Sequence, residues 1–414
     1  MLQEFEPVLK NRNFLYIWIS QIFSQLTINI MNFVFLIRLF EVTGSAISTS
    51  FLWVAYALPA ILVGPFASGT VDLVDRRKIL IITNFLQSLT ILLYAIASKS
   101  NIFSLYEVVF IYSLINQFYV PAEASTLPSV LHKDKLTHGN SLFFMTQQGS
   151  LVLGFGIAGL LNALLGFSDT LFLCSFFLFI AFFSTLFLPP LEPNNTIPKK
   201  FETAVFGFFK HIGEGYNFIK SESKVLTPLF LLIGFQVALQ VTVVQVPIIA
   251  KDVLLIPLNA AGIFILVPAG IGAITGALIM PKLLKKQIRK KQVVDVALLT
   301  IGISLFTLTF IIPLFTYWIK VSLSFLSLFL MGVGFVGILV PSQTFLQQST
   351  PPRLRGRVFG NFWFLVTIAS VLPVIFSGSV VEIFGIKFLM LILSLFALTI
   401  FAFSKKFGDR FLSG

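Results

Sequence analysis

Apolar runs recur along the whole chain, each near the roughly 20 residues that carry an α-helix across about 30 Å of hydrocarbon. This feature constrains the fold more than any motif. In lipid, every backbone N–H and C=O must find its partner within the protein, so runs of this length form helices. Twelve segments qualify: 14–39, 47–69, 78–98, 104–128, 140–166, 171–190, 225–249, 259–281, 293–313, 320–345, 358–382 and 388–404. Composition agrees, because 57% of the 414 residues are hydrophobic and 11% are charged, against about 25% charged in a soluble domain. The expected fold class is an all-α membrane protein with twelve transmembrane helices.

A formal net charge of +12 could suggest a nucleic-acid partner. The basic residues, however, fall in short clusters between apolar runs, which is the topology signal of a membrane protein. With the N-terminus inside, 24 of the 29 Lys and Arg lie in the predicted cytoplasmic parts. The other side holds Arg38, Lys99, Lys251, Lys320 and Lys387. Both termini are therefore expected in the cytoplasm. The first apolar run is studded with polar residues and reads as a retained span, not a signal peptide. The single cysteine, Cys174, sits inside an apolar run and forms no intrachain disulfide.

The longest loop splits the chain into an N-terminal six-helix bundle (1–190), a linker (191–224) and a C-terminal six-helix bundle (225–414). It opens at Pro189-Pro190-Leu191-Glu192-Pro193, which cannot continue a helix. Phe201, Val205, Phe208, Phe209, Ile212, Tyr216 and Ile219 then recur at near-helical spacing. This predicts an amphipathic helix, either at the cytoplasmic interface or packed on the bundle. The two halves also resemble each other. Val120-Pro121 is followed by Gly139-Asn140, and Val340-Pro341 by Gly360-Asn361, each proline expected to end or kink its helix. Duplication of this kind is typical of secondary transporters, whose substrate site lies between repeats near the midplane.

The second and third spans are joined by Gly64-Pro65-Phe66-Ala67-Ser68-Gly69-Thr70-Val71-Asp72-Leu73-Val74-Asp75-Arg76-Arg77-Lys78. This run resembles the loop signature of the major facilitator superfamily, with Leu73 standing where the pattern usually has Arg. Asn11 to Gln25, Thr43-Gly44-Ser45, Pro121-Ala122 with Pro128, and Pro352 to Gly360 resemble the branch of macrolide-efflux and siderophore-export proteins. The resemblance implies two pseudo-symmetric six-helix bundles around a central cavity. It also implies a gating role for Gly69, Asp72, Asp75, Arg76, Arg77 and Lys78, with Arg353, Arg355 and Arg357 in the other half. Gly154-Phe155-Gly156-Ile157-Ala158-Gly159 matches GxGxxG formally. No strand precedes it and no acidic residue follows at the required distance, so these small residues read as helix packing.

Gln21, Gln25, Asn29 and Asn32 fall on one face of the first span, and Gln236 and Gln240 on one face of the seventh. Asn116, Gln117, Gln147 and Gln148 add further amides. Amides facing lipid are costly, so these face protein or water. They either line a substrate cavity or hydrogen-bond between helices. Among ionisable residues, Glu107, Asp169, Glu382 and the pair Arg38 and Glu41 lie near outer ends, and Asp72, Glu123 and Asp295 near inner ends. Glu123 is the proton-coupling candidate, with a cap or loop partner as its alternative role. GxxxxGK[ST] does not occur, so direct ATP use is not expected. His132, His138 and His211 have no metal-ligand spacing. No cofactor or metal is implied.

The function these features predict is a secondary active transporter working by alternating access in a bacterial inner membrane, expected to be a monomer. Its partners would be a small-molecule substrate, membrane lipid and protons, and it would export an amphipathic or hydrophobic compound such as a drug or siderophore. A lysolipid flippase of the same fold is the alternative, and a non-transporting membrane protein the other class. An enzyme should show clustered His or acidic residues at a membrane face.

Overall fold

A computed structural model describes residues 2–71, 73–97, 102–191, 213, 223–285, 289–351 and 355–406. The predicted amphipathic segment of the linker lies almost wholly outside them. Among the described residues the chain is helical throughout, with no strand. A short α1 (Leu2–Leu9) precedes the spans α2 (Arg12–Thr43), α3 (Ala46–Val71), α4 (Arg76–Ala97), α5 (Ile102–Val130), α6 (Leu136–Leu165) and α7 (Phe167–Leu186). The second series is α8 (Ser223–Val244), α9 (Val267–Lys285), α10 (Lys290–Phe306), α11 (Tyr317–Ser349), α12 (Arg355–Phe384) and α13 (Ile386–Lys406). Eleven described helices are long and apolar enough to cross a membrane, and a twelfth span arises if the pair Leu229–Val244 and Val246–Leu254, bent by 54°, counts as one.

Local chemistry sets the helix ends. Asn11 Oδ1 accepts the backbone N–H groups of Asn13 and Phe14 at 3.0 and 3.2 Å, capping α2. Ser45 Oγ accepts from Ser48 N at 3.1 Å at the start of α3. Gly166, at φ +85, carries the chain from α6 into α7, and its N–H bonds the Asn162 carbonyl at 3.0 Å. That left-handed turn is open to glycine without a Cβ clash.

Pro121 and Pro341 do not end their helices. α5 runs on through Pro121 and Pro128 to Val130, and α11 through Pro341 to Ser349. Membrane helices tolerate internal proline because nearby groups take up the freed backbone carbonyls.

The described chain packs as two compact units. Unit 1 comprises Met1–Val42 and Val54–Lys210, and unit 2 comprises Thr43–Trp53 and His211–Gly414. In unit 1, Ile17, Val71, Leu80, Tyr119, Ala122 and Leu188 form one buried apolar cluster. In unit 2, Leu229, Leu232, Leu346, Val358, Phe362 and Val366 form another. The first turns of α3 belong to unit 2. There Ser45 Oγ donates to Glu382, which also accepts from Ile47 N at 3.1 Å. Trp53 Nε1 donates to Ser370 Oγ at 3.2 Å.

Candidate functional site

The interior of unit 1 holds a polar seam among three spans. α5 carries Tyr119 and Glu123 one turn apart, which places both on one face. The Tyr119 hydroxyl donates to Glu123 Oε1 at 2.7 Å. The same hydroxyl lies 3.4 Å from Ser20 Oγ on α2, and Ser20 accepts from Asn84 Nδ2 on α4 at 3.1 Å. All four side chains are buried, and Glu123 is only 7% exposed. No Lys, Arg or His nitrogen among the described residues comes within salt-bridge distance of its carboxylate. One turn along α4, Gln87 Nε2 donates to Asn116 Oδ1 at 3.3 Å. Asn84 Oδ1 and Gln87 Oε1 accept no protein hydrogen bond, and buried polar atoms of that kind call for an explanation. The seam sets a buried carboxyl beside a chain of hydroxyl and amide groups.

Of these residues Glu123 and Asn116 are expected from the sequence, and Ser20, Asn84, Gln87 and Tyr119 join them only in the structure. The signals were present. Asn84 and Gln87 are polar residues three apart within an apolar run, and Tyr119 stands one turn before the only acid of its span's inner end.

The amide stripe of α2 divides by role. Gln21 is buried and its Nε2 donates to the Phe143 carbonyl on α6 at 3.2 Å. Asn29 is buried and its Nδ2 turns back to the Gln25 carbonyl at 2.7 Å. Gln25 and Asn32 are half-buried. Gln117 donates to the Ser113 carbonyl of its own helix at 3.1 Å, while Gln147 and Gln148 are exposed. In unit 2, Gln236 is buried and Gln240 half-buried. A Cβ on Gly154 would meet Asn29 Cβ at 2.6 Å, so this glycine lets α6 press against α2.

The basic run at the start of α4 is built into unit 1. Asp75 Oδ1 caps α4 through Arg77 N at 2.9 Å and also accepts from Leu191 N at 3.1 Å. Arg76 Nη1 donates to Ser129 Oγ at 3.0 Å and to the Ser125 carbonyl at 3.4 Å, both on α5. Arg77 Nη2 donates to the Leu186 carbonyl at the end of α7 at 2.7 Å. Lys78 is exposed, and Gly69 lies within α3. Asp72 and Arg353 fall outside the described residues, as do the side chains of Arg355 and Arg357.

Residues 17–374 match the family model of the Major Facilitator Superfamily. The chain is 24% identical over 356 residues to the MFS-type transporter YfiS of Bacillus subtilis, which spans 85% of this chain and 82% of that one. It is 25% identical over 379 residues to the multidrug efflux pump Tap of Mycolicibacterium fortuitum, covering 85% of each. The crystal structure of the nucleoside transporter NupG superposes with a TM-score of 0.74 at 15% identity, over 95% of this chain and 98% of that one. An inward-facing bacterial homologue of the iron transporter ferroportin gives 0.70 at 16% identity, over 94% and 98%. At such identities the structures establish the fold, a multi-pass helical membrane protein. With a family match across most of its length, this chain belongs to the Major Facilitator Superfamily of membrane transporters.

Proposed function

We propose that this transporter is a secondary active exporter that couples the outward movement of an amphipathic, uncharged or weakly charged solute to proton flow. The observation that carries the reading is Glu123, a buried carboxyl inside a span, held by the Tyr119 hydroxyl and facing no cation among the described residues. Ionisable groups in such places mark proton and substrate pathways. The Ser20 and Asn84 links extend from it across the helix bundle of unit 1.

The chemistry of the solute follows from the amides. Gln25 and Asn32 in unit 1 and Gln240 in unit 2 are half-buried and carry no fixed charge, and Gln236 stands one turn from Gln240 on its own helix. Amides donate and accept hydrogen bonds to neutral groups, and the 49 phenylalanines supply apolar surface. Asn116, Gln117 and Gln147 extend the set. A phosphorylated solute would call instead for Arg or Lys at mid-depth. Similarity to a multidrug efflux pump supports export. The split of basic residues supports cytoplasmic termini, and the bacterial relatives support an inner-membrane location. The run from Gly69 to Lys78 would brace the basic end of unit 1 through the alternating-access cycle, with Arg353, Arg355 and Arg357 serving unit 2.

The test is transport in proteoliposomes against a panel of cationic dyes, neutral amphiphiles and a labelled lysolipid, with and without an imposed pH gradient. Glu123→Gln should abolish gradient-driven accumulation, at least tenfold down, while solute exchange at equal pH persists. Wild-type transport indifferent to the gradient would remove proton coupling. Selective movement of the lysolipid would replace the exporter reading with the flippase.

A further inference from the structure

At the end of unit 2 opposite its basic segments, the helices leave a shallow cleft that is open to the surroundings. Leu254, Ile256, Phe264 and Phe325 form apolar walls, and Lys320 and Ser324 of α11 are its polar lining. These two stand one turn apart on one helix face. Ser324 is only 5% exposed, yet its Oγ has no hydrogen-bond partner. Elsewhere in this unit, buried or exposed hydroxyls close on the carbonyl four residues back, as Thr242, Thr275, Thr300 and Thr367 do at 2.8 to 3.0 Å. Ser324, about two turns into α11, does not, and it shares this with Ser342 farther along the same helix, which does not line the cleft. Lys320 is half-buried and has no acidic partner among the described residues.

The backbone around the cleft is irregular. Two π-helical turns, Ile249–Leu254 and Gly262–Leu266, flank it and each supplies a lining residue. π-turns inside helices occur frequently at functional sites. Between them Leu255 adopts φ +58, the single non-glycine positive φ among the described residues. Such a conformation is costly and persists where the surroundings over-determine it. α11 also begins at the cleft without a side-chain cap, so its positive end adds to the charge of Lys320.

We propose that this cleft binds the phosphodiester headgroup of a membrane phospholipid. Lys320 Nζ supplies the charge-assisted hydrogen bond, Ser324 Oγ–H the second donor, and the apolar walls take the start of an acyl chain. The surroundings favour a lipid over a free anion. Leu314, in the turn before α11, and Trp318, in its first turn, are 83% and 79% exposed, and exposed Trp marks the depth of lipid headgroups. The cleft is separate from the Glu123 seam, so its test is independent of proton coupling.

The test is native mass spectrometry of the delipidated full chain titrated with dioleoylphosphatidylglycerol. One tightly held copy is expected. Lys320→Glu should weaken it by about tenfold, the scale of one charge-assisted contact, and Lys320→Arg should retain it. Should Lys320→Glu fail to fold, Ser324→Val is the second variant, with a loss of roughly threefold expected. Equal binding by wild type and both loss variants would overturn the site. Oleate bound tightly where phosphatidylglycerol is not would overturn the headgroup assignment, as would equal loss of binding in Lys320→Arg and Lys320→Glu.

Discussion

The two units hold their helices together by different means. In unit 1, α4 and α7 are joined by a reciprocal pair, with Ser88 Oγ donating to the Ser175 carbonyl at 2.8 Å and Ser175 Oγ to the Ser88 carbonyl at 2.9 Å. Thr27 reaches the Cys174 carbonyl at 3.2 Å, Ser184 the Tyr16 carbonyl at 2.7 Å, and Trp18 Nε1 the Thr146 hydroxyl at 2.8 Å. In unit 2, glycines do much of this work. A Cβ on Gly272 would run into the Phe329 carbonyl, and one on Gly332 into the Ala269 carbonyl, so α9 and α11 touch backbone to backbone. Gly276 is similarly tight against Val333 at 3.2 Å, and Gly337 against Ala297 at 2.9 Å. Lipid is as apolar as leucine, so helix association in a membrane rests on close van der Waals packing or on interhelical hydrogen bonds. Both units use both, since Gly154 packs α6 on α2 in unit 1 and Ser394 Oγ donates to the Gly302 carbonyl at 2.8 Å in unit 2, but the backbone-to-backbone contact is that of α9 with α11. Unit 1 thereby keeps more buried polar groups, while unit 2 presents a tighter frame around its α9–α11 contact.

This contrast can be broken most forcefully at Gly332. Gly332→Leu should destabilise the protein by about 3 kcal/mol or more, because neither backbone can yield without separating the helices. Gly149→Leu on α6, where a Cβ would meet nothing within 4 Å, should leave stability near wild type. Thermal unfolding followed by size-exclusion chromatography compares the two. Equal losses would mean that glycine contact is not what holds unit 2.

A smaller effect is expected at the basic end of unit 1. Asp75→Ala removes the cap of α4 and the tie to Leu191 together, at about 1 kcal/mol for a cap. Turnover in proteoliposomes should slow while apparent substrate affinity stays. The matching contact in unit 2 is Lys290, which donates to Gln348 and lies 5.7 Å from the Phe345 ring at the end of α11. Lys290→Ala should do less than Asp75→Ala, because its hydrogen bond to the Gln348 side chain is exposed and caps no helix. A larger loss at Lys290 would reverse the ranking of the two ends.

The smallest effect separates neighbours within one helix. Gln25→Ala should shift apparent affinity for a neutral amphiphile roughly threefold, about 0.6 kcal/mol, at unchanged thermal stability. Gln21→Ala should instead lower stability, because it deletes the hydrogen bond to the Phe143 carbonyl. If both changes affect only stability, the α2 amides hold helices together and do not meet solute.

Much of the fold was legible from hydropathy. The expected segments at 104–128, 171–190 and 320–345 correspond to Ile102–Val130, Phe167–Leu186 and Tyr317–Ser349. The bilayer imposes that legibility, since a span must be long, apolar and helical to cross at all. The site was legible only in part. Glu123 stands out in sequence as a lone acid near the inner end of an apolar run, but its partners lie on helices far away in the chain, Ser20 on α2 and Asn84 on α4. The α2 amides share a helical face, yet Gln21 and Asn29 are buried where Gln25 and Asn32 are not.

The sequence by itself determined the span pattern, the class of the protein and the pairs set by helical spacing, such as Tyr119 with Glu123. These follow from a single helix and its solvent. Tertiary structure alone decided that α5 and α11 run on through Pro121 and Pro341, that Gly332 meets Ala269, and that Ser324, buried and unpaired, lines a cleft beside Lys320. Each of these depends on which neighbour a helix face meets, and in a membrane that choice is made by small residues and hydrogen bonds distant in sequence, not by the hydropathy that every span shares.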